Sequence, residues 1–323
     1  MEESRVAVCY QGKQVYLNIG ESLLDAAIKN QLDIPYSCRS GLCQNCLVKI
    51  TEGEIPAAAQ QGLSEQQIRQ GYALSCQLKP THALTIQAID AQQTYPATVL
   101  SVMQLSNNIV KIKLEASVPW YAGQYLTLWK DQQTGRPYSI ASLPEENAIE
   151  CHIKVHPHGT VSNWLAGALA AGSVLQVGSP LGNCFYTAGM AQCPLLLVGQ
   201  GTGLAPLYGI VRDALSRQHL PDIYLYAGAR NKDNLYLLEE FSQLTLEHPN
   251  FHFYPVIYGD GDKNKAVEQV VATINRHHPK LQDWCVFLCG APELVKKLQK
   301  VCFLNGASLK NINADPFITR QAH

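Results

Sequence analysis

The sequence predicts a multidomain protein of α+β and α/β class: a small mixed-sheet domain, then an antiparallel β-barrel, then a doubly wound parallel sheet. Three observations carry that expectation. The first 90 residues hold short strand-like runs around one amphipathic helical stretch. Residues 97–188 hold closely spaced alternating runs divided by turn signals. From about Cys193 the period changes to continuous apolar runs alternating with helical segments, the pattern of a parallel sheet. A length of 323 residues suits two domains or a little more. The boundaries are expected at residues 1–91, 95–189 and 190–323, with the first break in the polar, Pro-ended stretch 90–96.

In the first domain, residues 4–19 read as a hairpin, with β-branched and aromatic residues on both sides of a Gln11-Gly12 turn. Ser22 then caps a helix whose Leu23, Leu24, Ala27 and Ile28 share one face, and Pro35 closes the segment. A cysteine-rich loop leads into a strand over 47–50. Ser64 and Gln67 form a capping box for a short helix. Residues 72–76 run into Cys76, and 84–89 form a closing strand.

In the second domain, strands are expected over 98–102, 109–114, 125–129 and 149–155, with Arg136-Pro137-Tyr138-Ser139 among them. His158-Gly159-Thr160-Val161-Ser162-Asn163 leads into a helix. In the third, the apolar strand 195–198 runs into Gly199-Gln200-Gly201-Thr202-Gly203, and a helix opens at Leu204-Ala205-Pro206. Further buried strands are expected over 223–227, 251–257 and 286–288, and helices over 234–244, 265–276 and 292–304. The chain shows no internal repeat and no low-complexity segment.

Composition narrows the classes. A net charge of −1 with 16% charged residues leaves no basic footprint for nucleic acid. No run approaches the roughly 18 apolar residues that span a bilayer. The acidic start Met1-Glu2-Glu3-Ser4 is unlike a secretory signal, and 11 cysteines without one point to a reducing compartment, so a cytoplasmic location and a monomer are expected. Most cysteines outside the loop should be small buried hydrophobes.

Two stretches carry chemistry. Cys38, Cys43 and Cys46 stand at C-x4-C-x2-C, with Cys76 after a gap, the ligand spacing of a plant-type [2Fe–2S] cluster. Soft thiolates suit iron–sulfur chemistry, and Gly41 lets the loop wrap closely. The competing readings are a disulfide, a zinc site or scattered core thiols; zinc usually takes two close-spaced ligand pairs, and only one is present. Gly199, Gly201 and Gly203 lie at a strand-to-helix turn, where glycine backbone and a helix N-terminus can receive a pyrophosphate. The loop is not a full G-x-G-x-x-G, and a tight βα turn is the competing reading.

On these residues the first 90 positions resemble a plant-type ferredoxin, which implies a β-grasp fold. One position departs from that pattern: Gln44 stands where the family usually has Gly, and a bulky residue there could tune the cluster potential. Residues 96–323 resemble the ferredoxin–NADP reductase superfamily, and the whole chain resembles reductase components of multicomponent oxygenases, with a few relatives serving deoxysugar dehydratases. The resemblance implies that Arg136 holds a flavin phosphate, Tyr138 stacks on the isoalloxazine and Ser139 bonds near N5. Gly159, Thr160 and Ser162 would meet the FAD pyrophosphate with backbone N–H groups and hydroxyls. Gly199, Gly201, Thr202, Gly203 and Pro206 match the nicotinamide-cofactor loop. Cys289 and Gly290, in Cys289-Gly290-Ala291-Pro292, match a second nicotinamide motif, with Cys289 beside the hydride path. Against this stand a barrel aromatic with a surface cation for Tyr138 and Arg136, and a buried core thiol for Cys289.

NADP-specific members carry Ser-Arg roughly where this chain has Ile257-Tyr258-Gly259-Asp260. No cation stands there, and Asp260 repels a 2′-phosphate, so NADH is expected over NADPH; Arg230 is the counterargument. Phe317, in Asp315-Pro316-Phe317, either covers the flavin or packs on the last strand.

The implied path runs from NADH to FAD to the [2Fe–2S] cluster and out to a terminal oxygenase or other acceptor protein, with Leu42 and Gln44 on the expected docking rim. The alternatives are the same chain feeding a deoxysugar dehydratase, a free flavin or ferric reductase, which leaves the ferredoxin domain without a purpose, and a carrier or sensor module with no turnover of its own.

Overall fold

The structure, a computed structural model, describes residues 5–32, 34, 36, 39, 41, 46–63, 65–87, 94–132, 134–259 and 263–317. The first domain contains β1 (Arg5–Tyr10), β2 (Lys13–Asn18), α1 (Leu23–Lys29), β3 (Leu47–Glu52), α2 (Glu65–Arg69), β4 (Tyr72–Leu74) and β5 (Leu84–Gln87). Its sheet has the order β2-β1-β5-β3-β4, with β1 and β5 parallel and the other pairs antiparallel. Ser22 Oγ accepts from Asp25 N at 3.1 Å and caps α1, as its sequence implies. The buried stripe of α1 is Leu23, Leu24, Ala26 and Ala27, whereas Ile28 is 37% exposed and belongs to the outer face. A seven-residue helix makes two turns, and the core below it is full at those four side chains. The expected cap at Ser64, and residues 88–93 at the domain boundary, lie outside the described residues.

The second domain is built from β6 (Thr94–Ser106), β7 (Ile109–Ala116), β8 (Tyr125–Trp129), β9 (Gly135–Ser139), β10 (Ile149–Lys154), α3 (Thr160–Gly167) and β11 (Val174–Gly178). All pairs in the order β10-β7-β6-β11-β8-β9 are antiparallel, and a bridge between Ile140 and Cys151 joins the two ends into a barrel. β6 starts before Pro96 rather than after it. Pairing with β7 begins only at Ala97, so the missing proline N–H breaks no hydrogen bond on that side. Two register shifts, at Val99/Ser101 and Gln104/Ser106, bend this long strand around the barrel.

The third domain follows with β12 (Leu195–Gln200), α4 (Leu204–Ser216), β13 (Ile223–Ala229), α5 (Leu238–Glu247), β14 (Phe251–Ile257), α6 (Lys263–His277), β15 (Cys285–Gly290), α7 (Pro292–Leu304) and β16 (Ile312–Pro316). The sheet is parallel throughout, in the order β14-β13-β12-β15-β16. α5 begins four residues later than its pattern suggests, because Leu235, Tyr236 and Leu237 bury themselves in an extended approach, with Leu237 at φ 61° before the first turn. β16 offers only Ile312 and Ala314 to the core, too weak a signature to predict a strand from the sequence.

The barrel and the parallel sheet are tightly joined. A Cβ on Gly209 of α4 would lie 2.9 Å from the Ala141 carbonyl and 3.0 Å from Ala122 Cβ, so glycine lets the helix lie directly on the barrel. Arg212 of the same helix pairs with Glu146 of the barrel. Beside it, Glu150 and His152 of β10 are buried with Tyr236: His152 Nε2 is 2.8 Å from Glu150 Oε1, and its Nδ1 is 3.3 Å from the Tyr236 hydroxyl.

Candidate functional site

Strand pairing brings two of the four expected cluster ligands together. Cys46 precedes β3 and Cys76 follows β4, and Leu47 lies opposite Leu74 in the register of those strands. Ser75 N donates to Cys46 O at 2.9 Å, tying the two segments, and both cysteines are buried. Gln77 Nε2 lies 3.6 Å from Cys76 Sγ. The hydroxyl of Ser75, whose backbone adjoins both cysteines, is buried with no hydrogen-bond partner among the described residues. A buried orphan donor beside two thiols is satisfied by a sulfur acceptor such as a cluster sulfide, so these residues fit the group. Cys38, Cys43, Leu42 and Gln44 lie outside the described residues.

The barrel strand β9 carries the second set. Arg136 pairs with Leu128 and Tyr138 with Leu126, so the alternation of the strand puts Arg136 and Tyr138 on one face and Ser139 on the other. Burial pushes the Tyr138 phenol well above its ordinary range. Arg136 Nη1 donates to the Gly135 carbonyl at 2.7 Å. Gly159 is the N-cap of α3, and a Cβ there would overlap Ser162 Oγ. Ser162 Oγ accepts from His156 N at 3.2 Å and lies 3.4 Å from Gly159 O. Its hydroxyl therefore braces the turn, and the anion-binding capacity of this end comes from the backbone N–H groups of the first turn, with Thr160 exposed beside them. The glycine cradle and helix end suit a pyrophosphate, so the barrel residues fit FAD.

The glycines at the end of β12 and in the turn after it have distinct tasks. A Cβ on Gly199 would lie 2.7 Å from Leu207 Cδ1, and one on Gly203 would overlap the Cys289 carbonyl. These two let α4 and β15 close on the strand end. Gly201 instead has φ +55° with nothing within 4 Å of a Cβ, so its backbone faces open space. Pro206 sits in the first turn of α4, where its missing N–H breaks no helical bond, and Thr202 lies in the tight turn before it. Across the strand end, Gly290 has φ +126° and abuts Gln200. A tight glycine turn at a helix start, at the carboxyl ends of parallel strands, fits a dinucleotide. Tyr258 receives a hydrogen bond from Gln200 and follows β14, beside Arg230 at the end of β13. Asp260 lies outside the described residues.

The two motif sets meet at a residue that the sequence reading did not assign. Ser139 Oγ donates to Asp315 Oδ2 at 3.2 Å. Asp315 lies on β16 opposite Cys289 of β15, and Phe317 N donates to the Gly290 carbonyl at 2.6 Å. Burial pushes the Asp315 carboxyl up to about 6, opposed by the Ser139 hydrogen bond. Cys289 is fully buried, and its Sγ is 3.7 Å from Cys184 Sγ. The flavin-motif strand and the nicotinamide-motif strand thus converge on one half-buried carboxyl. Only an acidic residue a few positions from the C-terminus signals this in the sequence.

The chain carries three recognised domains. The 2Fe-2S iron–sulfur cluster binding domain family matches residues 7–81, the oxidoreductase FAD-binding domain family residues 96–186, and the oxidoreductase NAD-binding domain family residues 197–300. The chain is 33% identical over 309 residues to the ferredoxin–NAD(P)+ reductase component of a naphthalene 1,2-dioxygenase system from Pseudomonas putida, across 92% of this chain and 94% of that one. It is 26% identical over 310 residues to a CDP-6-deoxy-L-threo-D-glycero-4-hexulose-3-dehydrase reductase from Yersinia pestis, across 92% and 93%. Among solved structures it superposes on an Amycolatopsis cytochrome P450 reductase with a TM-score of 0.66 and 29% identity, covering 97% of this chain and 98% of the other. Among the described residues no helix is long and apolar enough to cross a membrane. With all three domains in that order and full-length similarity, the chain belongs to the iron–sulfur flavoprotein oxidoreductases that include the ferredoxin–NAD(P)+ reductase components of oxygenase systems.

Proposed function

We propose that this protein is an NADH-dependent reductase that acts as a monomer and passes electrons through FAD and a [2Fe–2S] cluster to a separate oxygenase component. The observation that carries this reading is the Ser139–Asp315 hydrogen bond, which ties the strand bearing Arg136 and Tyr138 to the strand ends bearing Cys289 and Gly290. When bound, FAD supplies the conversion of a two-electron hydride into single electrons that a [2Fe–2S] cluster carries.

In this reading Arg136 holds a flavin phosphate and the first turn of α3, from Gly159 through Thr160 to Ser162, presents N–H groups to the pyrophosphate. Tyr138 covers the ring system, and Ser139 holds a hydrogen bond at its edge. Gly199, Gly201, Thr202, Gly203 and Pro206 shape the turn that receives the dinucleotide, with Gly290 opposite. Cys289 and Asp315 border the place where the nicotinamide lies, and Asp315 Oδ2 holds or releases a proton there according to pH. Cys38, Cys43, Cys46 and Cys76 supply the thiolates for the cluster. NADH is the proposed reductant, because Asp260 follows β14 in sequence and a carboxylate repels a 2′-phosphate. Delivery to a deoxysugar dehydratase is the second reading, supported by the similarity to the Yersinia pestis reductase.

Anaerobic titration of the holoenzyme tests the proposal. NADH should bleach the flavin absorbance and then the cluster absorbance, with NADPH much slower. Failure of NADH to reduce either group would leave only an electron-carrier role. A purified oxygenase component and a purified dehydratase, offered as acceptors to the reduced enzyme, separate the two readings.

A further inference from the structure

We propose that Cys184 and Cys289 are a peroxide-reactive dithiol that closes to a disulfide across the junction between the barrel and the parallel sheet. Their sulfurs stand 3.7 Å apart. The two thiols come from different domains, 105 residues apart in sequence. Cys289 is held in β15, between β12 and β16. Cys184 follows the bridge between Leu181 and Tyr125, and its carbonyl abuts Gly123 so closely that a Cβ at 123 would overlap it. Both backbones are therefore pinned. A disulfide bond of about 2.05 Å asks the side chains to close the remaining gap by rotation about their own torsions.

The other thiols make this pair distinctive. Cys151 and Cys302 are buried core side chains. Cys193 and Cys285 interact at the opposite end of β15, four residues before Cys289, about 13 Å away along the strand. That second pair is a built-in comparison outside the glycine-lined strand ends.

The chemistry is balanced with a hydroperoxide as oxidant. Cys184 is 5% exposed and follows the exposed Asn183, whereas Cys289 is 0% exposed. Burial and the neighbouring thiol push the Cys289 thiol well above its ordinary range, so its thiolate is scarce and Cys184 reacts first. The Cys184 thiol and hydrogen peroxide give a sulfenic acid and one water. Cys289 then attacks that sulfur, forming the S–S bond and releasing the hydroxyl with the Cys289 proton as a second water. Two electrons pass from the two thiols to the peroxide oxygens. Closure removes the thiol at the end of β15 and fastens the barrel to the strand that carries Gly290. The cross-link stands on the thiol geometry alone; its effect on turnover rests on the reductase reading above.

The test uses oxidised holoenzyme treated with stepwise hydrogen peroxide, quenched with catalase, alkylated under denaturing conditions and digested without reduction. The expected product is a peptide linking Cys184 to Cys289, lighter by two hydrogens and separated by dithiothreitol. NADH-dependent flavin reduction should fall at least tenfold and recover on reduction. Cys184→Ala, with Cys184→Ser as a second variant should the first fold poorly, should form no linked peptide and lose the reversible part of the inactivation. Oxidation to sulfinic acids without a linked peptide overturns the proposal, as does a linkage confined to Cys193 and Cys285. A 184–289 link in enzyme that still reduces its flavin at full rate overturns the placement of Cys289 at the nicotinamide and leaves the dithiol intact.

Discussion

Ser139 Oγ donates a 3.2 Å hydrogen bond to Asp315 Oδ2, so a hydroxyl on the barrel and a carboxyl near the chain's end share one proton position across 176 residues of sequence. Asp315 lies opposite Cys289 in the β15–β16 register, and β15 packs against β12 with its glycine turn. One half-buried carboxyl therefore borders both the flavin-motif strand and the strand ends that would receive the nicotinamide. Its titration should be visible in the reaction.

Burial raises the Asp315 carboxyl from 3.8 to about 6, with the Ser139 bond pulling the other way. A group bound more tightly to its proton in the folded state stabilises the fold fully below about pH 4 and loses that contribution as pH rises through about 6. Activity should run the opposite way. Hydride departure leaves a cationic nicotinamide ring, which an ionised Asp315 would stabilise in the proposed site, so flavin reduction by NADH should accelerate as pH rises through about 6. In Asp315→Asn that inflection should vanish and the plateau should drop. Stopped-flow flavin reduction between pH 5 and 8 measures both, and an unchanged inflection in the variant would remove Asp315 from the step.

Ser139→Ala removes the donor to that carboxyl. Hydrogen bonds to charged groups contribute about 1.5–3 kcal/mol, so flavin reduction should slow by about 10- to 100-fold at pH 8, where Asp315 is ionised. FAD content should stay near normal, since Arg136 and Tyr138 lie on the opposite face of β9. A variant that loses FAD instead would make the Ser139 contact at the ring edge a principal holder of the flavin.

The features legible in the sequence are those that depend on neighbours in the chain. The apolar run of residues 195–198 followed by glycines gave away β12 and its turn, and α7 begins at Pro292 as its pattern implies. Ser139 is singled out by the three residues before it. Its partner is not, because a hydrogen bond across 176 residues leaves no local trace. β16, Ile-Asn-Ala-Asp-Pro, alternates, but Asn, Ala, Asp and Pro are all depleted in strands; it forms because the edge of β15 offers unpaired backbone groups. The start of α5 is hidden for a related reason: Leu235, Tyr236 and Leu237 form a continuous apolar run that fills the core before the helix begins.

Cys46→Ser and Cys76→Ser should separate the two halves of the electron path. Each replaces a buried thiol, proposed as a cluster ligand, by a harder, weakly acidic hydroxyl, so the iron content should fall. Neither touches the barrel, so NADH should still reduce small dyes through FAD at close to the normal rate. Cytochrome c reduction should be lost. Equal cytochrome c reduction with and without the cluster would identify FAD as the exit point.

The Glu150–His152–Tyr236 contact should govern acid stability at the barrel–sheet junction. Burial alone pushes the Glu150 carboxyl up, but the His152 hydrogen bond and the charges of His152, Lys111 and Lys113 outweigh it and hold the carboxyl at about 2. A depressed folded-state value contributes stability above about 4.5 that is lost as pH falls toward 2, about 3 kcal/mol in all. Glu150→Gln should lower the urea midpoint at pH 7 and flatten its decline between pH 4.5 and 2. A variant with the same acid limb as the parent would place the sensitivity elsewhere.

Ser75→Ala tests the buried hydroxyl beside Cys46 and Cys76. Its Oγ finds no partner among the described residues, and an unmatched buried hydroxyl is costly unless something nearby accepts its proton. With the Ser75 backbone joined to Cys46 and next to Cys76, cluster sulfur is the acceptor proposed for it. A donor to sulfur stabilises the reduced, more negative cluster and raises its potential. Removing one hydrogen bond worth about 1 kcal/mol should lower the potential by on the order of 40 mV for a one-electron couple. Iron content and the FAD spectrum should not change, because Ala leaves the ligands and the barrel alone. Potentiometric titration followed by the cluster's electron paramagnetic resonance signal gives the number directly. A shift to higher potential, or none, would show that the hydroxyl points away from the cluster; a fall with normal iron content assigns Ser75 as a tuning residue.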